Sequence, residues 1–136
     1  MTKKQFFLTL ITLLIFNITV SAQMFLGQHL NDIKKEHPVG SLLTNEDYGY
    51  TYGVTKQAED DYYLFFVNKD LYCYLTVLNP LSSTSLQGWI EELNKKWVVV
   101  DNYHWRYYRN DTKIVYAELR KVDNVNGLCI GFSFVK

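Results

Sequence analysis

The stretch from Ser82 to Leu119 constrains the fold more than any other, because the spacing of its apolar residues changes period partway along. Leu86, Trp89, Ile90 and Leu93 recur at helical spacing, with Gln87, Glu91, Glu92 and Asn94 opposite, so one side of this segment must be covered. Pro80 and the group Ser82 to Ser85 stop whatever precedes it and offer N-caps. From Trp97 onward the residues alternate as in a strand. All three Trp residues, Trp89, Trp97 and Trp105, fall in this stretch, so a helix packed on a sheet is expected to form the core around it.

The remainder is read in the same terms. Leu26, Leu30 and Ile33 predict a shorter helix over Gly27 to Glu36, which Pro38 discourages from continuing, and Gly40 to Asp47 reads as a loop. Tyr48, Tyr50 and Tyr52 then alternate with Gly49, Thr51 and Gly53 along a strand, and Glu59-Asp60-Asp61 reads as a solvated turn. Tyr62 to Val67 and Leu71 to Leu78 form a hairpin across Asn68-Lys69-Asp70. In its second strand Leu71, Cys73, Leu75 and Val77 are the expected core set, with Tyr72, Tyr74 and Thr76 on the other face. After the helix come Trp97 to Tyr108, bent near Asp101-Asn102, then Lys113 to Lys121 and Leu128 to Val135, joined by turns at Arg109 to Thr112 and Asn126-Gly127. Leu128, Ile130, Phe132 and Phe134 should face the core. The expected fold is α+β, an antiparallel sheet of about six strands with two helices packed on one face, in the order α-β-β-β-α-β-β-β. That order allows two αβββ units, residues 23–79 and 80–136.

The N-terminus sets the expected compartment. Lys3 and Lys4, an apolar run from Phe6, and Val20-Ser21-Ala22 before Gln23 have the layout of a cleavable signal peptide over residues 1–22. The run is shorter than the roughly 20 residues of a spanning helix, so no membrane span is expected after cleavage and the protein should be secreted or periplasmic. Of 14 Lys and Arg, Lys3 and Lys4 leave with the leader, so 12 face 14 Asp and Glu in residues 23–136. A nearly neutral chain has no electrostatic footprint for nucleic acid. Export permits a bridge between Cys73 and Cys129 without requiring one.

A short helix carrying Gly27-x-x-Leu30-x-x-Ile33 before Pro38, followed by antiparallel strands in an exported chain, resembles the SmpA/OmlA and β-lactamase-inhibitor-protein types of envelope protein. The resemblance implies helices packed on an antiparallel sheet and a role in binding other proteins without chemistry. The chain departs from these families in lacking a Gly shortly before the Pro and a lipid-anchoring Cys.

Motifs for chemistry are sparse. His29, His37 and His104 stand in no nucleophile motif, and the Ser cluster is explained by capping. Asp123 to Gly127 places Val125 where a calcium loop needs an oxygen, so neither a metal nor a cofactor is implied. Glu91, Glu92 and Glu118 are the acids available to a glycosidase, and spacing alone does not bring them together. Three aromatic stripes remain as candidate contact residues: Tyr48, Tyr50 and Tyr52; Tyr72 and Tyr74; Tyr103, Trp105 and Tyr107. Aromatic side chains also pair across strands in any sheet, so each stripe has a packing explanation as well. His104, Arg106 and Tyr108 should face away from Trp105. The resulting expectation is a non-enzymatic domain that binds a protein partner in the envelope or outside the cell, with a glycan-binding module as the alternative and a small hydrolase third.

Overall fold

A computed structural model describes residues 2–5, 25–45, 49–56, 61–109, 112–123 and 127–134. Residues 6–24, which include most of the expected signal peptide, together with Tyr48, the Glu59-Asp60 pair, Asn110-Asp111 and most of the segment 123–127, lie outside the described residues. Among the described residues no helix is long and apolar enough to cross a membrane.

The chain forms one antiparallel sheet of eight strands, in the spatial order β1-β2-β3-β4-β8-β7-β6-β5. In chain order these are α1 (Leu30–Glu36), β1 (Ser41–Asn45), β2 (Gly49–Lys56), β3 (Asp61–Val67), β4 (Cys73–Pro80), α2 (Ser83–Lys96), β5 (Val98–Asp101), β6 (His104–Tyr108), β7 (Ile114–Lys121) and β8 (Leu128–Ser133). Each half is a helix followed by a four-stranded meander, and the halves meet where β4 pairs with β8.

This corrects the expected six strands and two packed helices. Gly40 to Asp47 is not a loop, because Ser41–Asn45 pairs with Gly49–Gly53 as the edge of the sheet. Trp97 to Tyr108 is two strands, since the Asp101 carboxylate accepts a hydrogen bond from the Tyr103 N–H at 2.8 Å and closes a tight turn. The first helix has only seven residues and α2, with fourteen, is the one main helix. The reason is local: the Gly27 N–H donates to the Cys73 carbonyl and the Cys73 N–H to the Gln28 carbonyl, so this backbone is bonded to β4 and is not free to enter a helix.

The helix-covered face carries the core. Leu30 and Ile33 of α1 and Leu93 of α2 join Tyr52, Tyr63, Phe65, Val67, Leu78, Trp105, Val115, Ala117, Ile130 and Phe132 in one buried cluster. Ser82 caps α2, its hydroxyl accepting from the Ser85 N–H at 3.1 Å. Asp61 corrects another expectation. It is buried at the start of β3, where Ser85 Oγ and Trp89 Nε1 both donate to its carboxylate and tie α2 to the sheet.

The expected core set of β4 is corrected as well. Phe66 faces Leu75 but Val67 faces Cys73, so Tyr74 is an extra, unpaired residue. One inserted residue exchanges the two faces beyond it. Cys73 therefore points into the core together with Thr76 and Leu78, while Leu75 and Val77 point to the other face, half-buried.

Candidate functional site

The face of the sheet opposite the buried cluster bears an open trough, and residue alternation decides what stands on it. On β7, Val115, Ala117 and Leu119 are buried, so Tyr116, Glu118 and Arg120 line the open face. Pairing across strands then builds ordered rows. One row runs Leu75, Ser133, Tyr116, Arg106, Val98. The next runs Val77, Gly131, Glu118, His104, Asp101. Beyond these, Arg120 faces Cys129. All of these except Val98 line an open trough of about 940 Å³.

Gly131 is the low point of this floor. A Cβ placed there would meet nothing nearer than Leu75 Cδ1 at 4.0 Å, so the missing side chain is open space and not a site of crowding. The other half of the same face differs: at Gly53 a Cβ would run into the Tyr62 hydroxyl at 2.5 Å, because the Tyr62 ring already covers that position. At these two glycines, the open position is the one on the β4–β8–β7–β6 side.

The floor is apolar toward β4, at Leu75 and Val77, and charged toward β6 and β7. His104 sits between two acids, with Nδ1 2.7 Å from Asp101 Oδ1 and Nε2 3.7 Å from Glu118 Oε1. The Tyr103 N–H and the His104 ring hold the Asp101 carboxyl below the usual carboxylate range. The Arg106 guanidinium lies 5.8 Å from the centre of the Tyr116 ring. No ion pair holds Arg106 or Arg120 among the described residues.

The chemistry available in the trough centres on His104. Both ring nitrogens of His104 face carboxylates, and the hydroxyl of Ser133 and thiol of Cys129 stand two strands away on β8, about 10 Å across the sheet. Burial also pushes the Cys129 thiol up, away from thiolate character. The His104 ring fills the space between Asp101 and Glu118, where a glycosidic bond would need to lie. Among the described residues no group of three His, Cys, Asp or Glu is placed to hold a metal ion.

The aromatic stripes are distributed differently. Tyr52 and Trp105, each 2% exposed, are core residues: the Tyr52 hydroxyl donates to the His37 carbonyl at 2.6 Å, and Trp105 Nε1 donates to Asn94 Oδ1 at 2.9 Å. Tyr50 and Tyr107 are half-buried against the same cluster, with Tyr107 5.2 Å from the Trp97 ring. Tyr72, Tyr74 and Tyr103 are exposed, at 48%, 39% and 58%. They form no single platform, because Tyr72 and Tyr74 stand at the start of β4 and Tyr103 just before β6, with β8 and β7 between those strands. Trp105 borders the trough while its side chain is buried, and the tyrosine that lines the trough is Tyr116, whose signal was the polar set Tyr116, Glu118, Arg120 alternating with Val115, Ala117, Leu119.

Fold and trough together define a domain built on one antiparallel sheet of eight strands, with one main helix on its core face and an open, mixed-charge concavity on the other. Compared with known proteins, the chain matches no family model, no curated protein and no solved structure.

Proposed function

We propose that the chain is an exported, non-enzymatic binding domain that takes a protein partner on the open face of its sheet, in the periplasm or outside the cell. The observation that carries this reading is the trough, with an apolar floor at Leu75 and Val77 beside a charged flank at Arg106, Glu118 and Arg120. Protein interfaces combine an apolar centre with polar surroundings, and this is the uncovered face of a rigid sheet. The resemblance to envelope proteins that bind other proteins points the same way. A glycan module needs a flat ring left free for stacking; Tyr116, the tyrosine that lines the trough, has the Arg106 guanidinium against it, and Trp105, which also borders the trough, is buried. A photo-reactive residue at position 131 should cross-link to a protein in envelope extract, whereas one at exposed Gly88 on α2 should not. Equal capture from both positions, or saccharide-specific signals on a glycan array, would refute the reading.

A further inference from the structure

We infer that the trough reads the charge order of an extended partner segment, selecting acidic residues at positions i and i+4 around a basic or neutral residue at i+2. This inference rests on the proposed binding face and says what chemistry would be recognised there.

The charges along the trough follow a fixed register. Arg106 faces Tyr116 across the β6–β7 pair; Glu118 comes two residues later on β7, opposite His104; Arg120 comes two residues after that. Read along the strands, the face therefore presents a cation, an anion beside a histidine, and a cation. Arg106 and Arg120 are separated by about 13 Å along the strand direction, which equals the span of four residues of extended chain. In such a chain alternate side chains point the same way, so residues i, i+2 and i+4 of a segment lying along β7 would meet the three positions in turn.

Pairing within the trough leaves the cations as the groups seeking a partner. Asp101 and Glu118 are both engaged with His104, at 2.7 Å and 3.7 Å, while Arg106 and Arg120 have no carboxylate among the described residues. An acid at i+2 would be set against Glu118 and Asp101. Acids at i and i+4 would each meet a guanidinium, and Arg106 is half-buried beside Tyr116, where a pair is screened less than at a fully exposed site. Gly131, next to Glu118 in its row, keeps a side chain from standing where the segment would lie.

The test uses two labelled peptides of equal composition that differ only in charge order, Thr-Glu-Thr-Lys-Thr-Glu-Thr and Thr-Glu-Thr-Glu-Thr-Lys-Thr, titrated with the purified chain by fluorescence anisotropy. The first should bind about tenfold more tightly at low salt, as expected for a few partly exposed ion pairs, and the preference should shrink as salt is added. The double variant Arg106→Gln/Arg120→Gln should lose the preference while melting normally, and Arg106→Glu/Glu118→Lys/Arg120→Glu should reverse it. Equal binding of both peptides, blocked in both cases by Gly131→Trp, overturns the charge order and leaves the binding face standing. A preference that survives the double glutamine variant also overturns it. If neither peptide binds, the charge order falls, and the binding face is judged by the cross-linking at position 131.

Discussion

Replacing Gly131 by valine should make the protein more stable while obstructing the trough, a combination that follows only if the space above this residue is empty. Glycine in a strand interior costs about 0.5–1 kcal/mol relative to alanine through the conformational freedom of the unfolded chain. A β-branched residue suits a pleated strand further. The nearest atom to the new Cβ would be Leu75 Cδ1 at 4.0 Å, an ordinary van der Waals contact, and the Gly131 backbone is not in the left-handed region. The net expectation is about 1 kcal/mol of added stability, or an increase of about 4 °C in Tm for a domain of this size. Gly49 is the control with the opposite sign. Its φ is +99° and a Cβ there would collide with the Val67 carbonyl oxygen, so Gly49→Ala should destabilise by more than about 2 kcal/mol. Urea titration and thermal melting measure both. Loss of stability in Gly131→Val would show that something occupies the trough, and the argument for an open binding face would fail with it. Unchanged capture of a partner by the Gly131→Trp variant would equally refute it.

Further outcomes follow from single contacts. Asp61→Ala deprives Ser85 and Trp89 of a shared acceptor and should cost about 3 kcal/mol by urea unfolding, with a smaller loss when Trp89 is already phenylalanine. Trp105→Phe leaves the Asn94 carbonyl without its donor and should cost about 1–3 kcal/mol, with no change in peptide binding at the trough. Cys73 and Cys129 are free and buried, so gel mobility should not depend on reductant, and both thiols should react with a chromogenic disulfide only after unfolding. Asp101 titrates below the usual carboxylate range because of the Tyr103 N–H and His104. Its contribution to stability is therefore present above the unfolded value and is lost as the pH falls through the folded one. Melting curves across the acid range should show Asp101→Asn lacking this part of the profile.

Several elements were legible from local chemistry because their determinants are neighbours in the chain. The stripe Leu86, Trp89, Ile90, Leu93 behind the Ser82 cap describes α2. Asn68 also acts as turn chemistry suggests, its side-chain oxygen accepting from the Asp70 and Tyr72 N–H groups to close the β3–β4 hairpin. The last strand has Ile130 and Phe132 buried, with Leu128 and Phe134 packed against the same cluster. Arg106 and His104 do face away from Trp105.

What failed was whatever depended on a partner strand. The phase of β4 could not be read from Leu71-Tyr72-Cys73-Tyr74, because only pairing with β3 makes Tyr74 the unpaired residue and exchanges the faces after it. The cysteines look like a candidate pair until register is known. Cys129 is next to Ile130, which faces Leu78, five residues along β4 from Cys73, and the two thiols point to opposite faces about 17–20 Å apart, far beyond disulfide reach.

The sequence by itself therefore determined the helix and its caps, the turn chemistry and the alternation of most strands, since these depend on residues within a few positions of one another. Only the tertiary structure decided the number of strands, the burial of Asp61, the core role of Tyr52 and Trp105, and the meeting of Leu75, Arg106, Glu118 and Gly131 in one trough. Hydrogen-bond register between distant strands places those side chains, and no short-range pattern in the chain encodes that register.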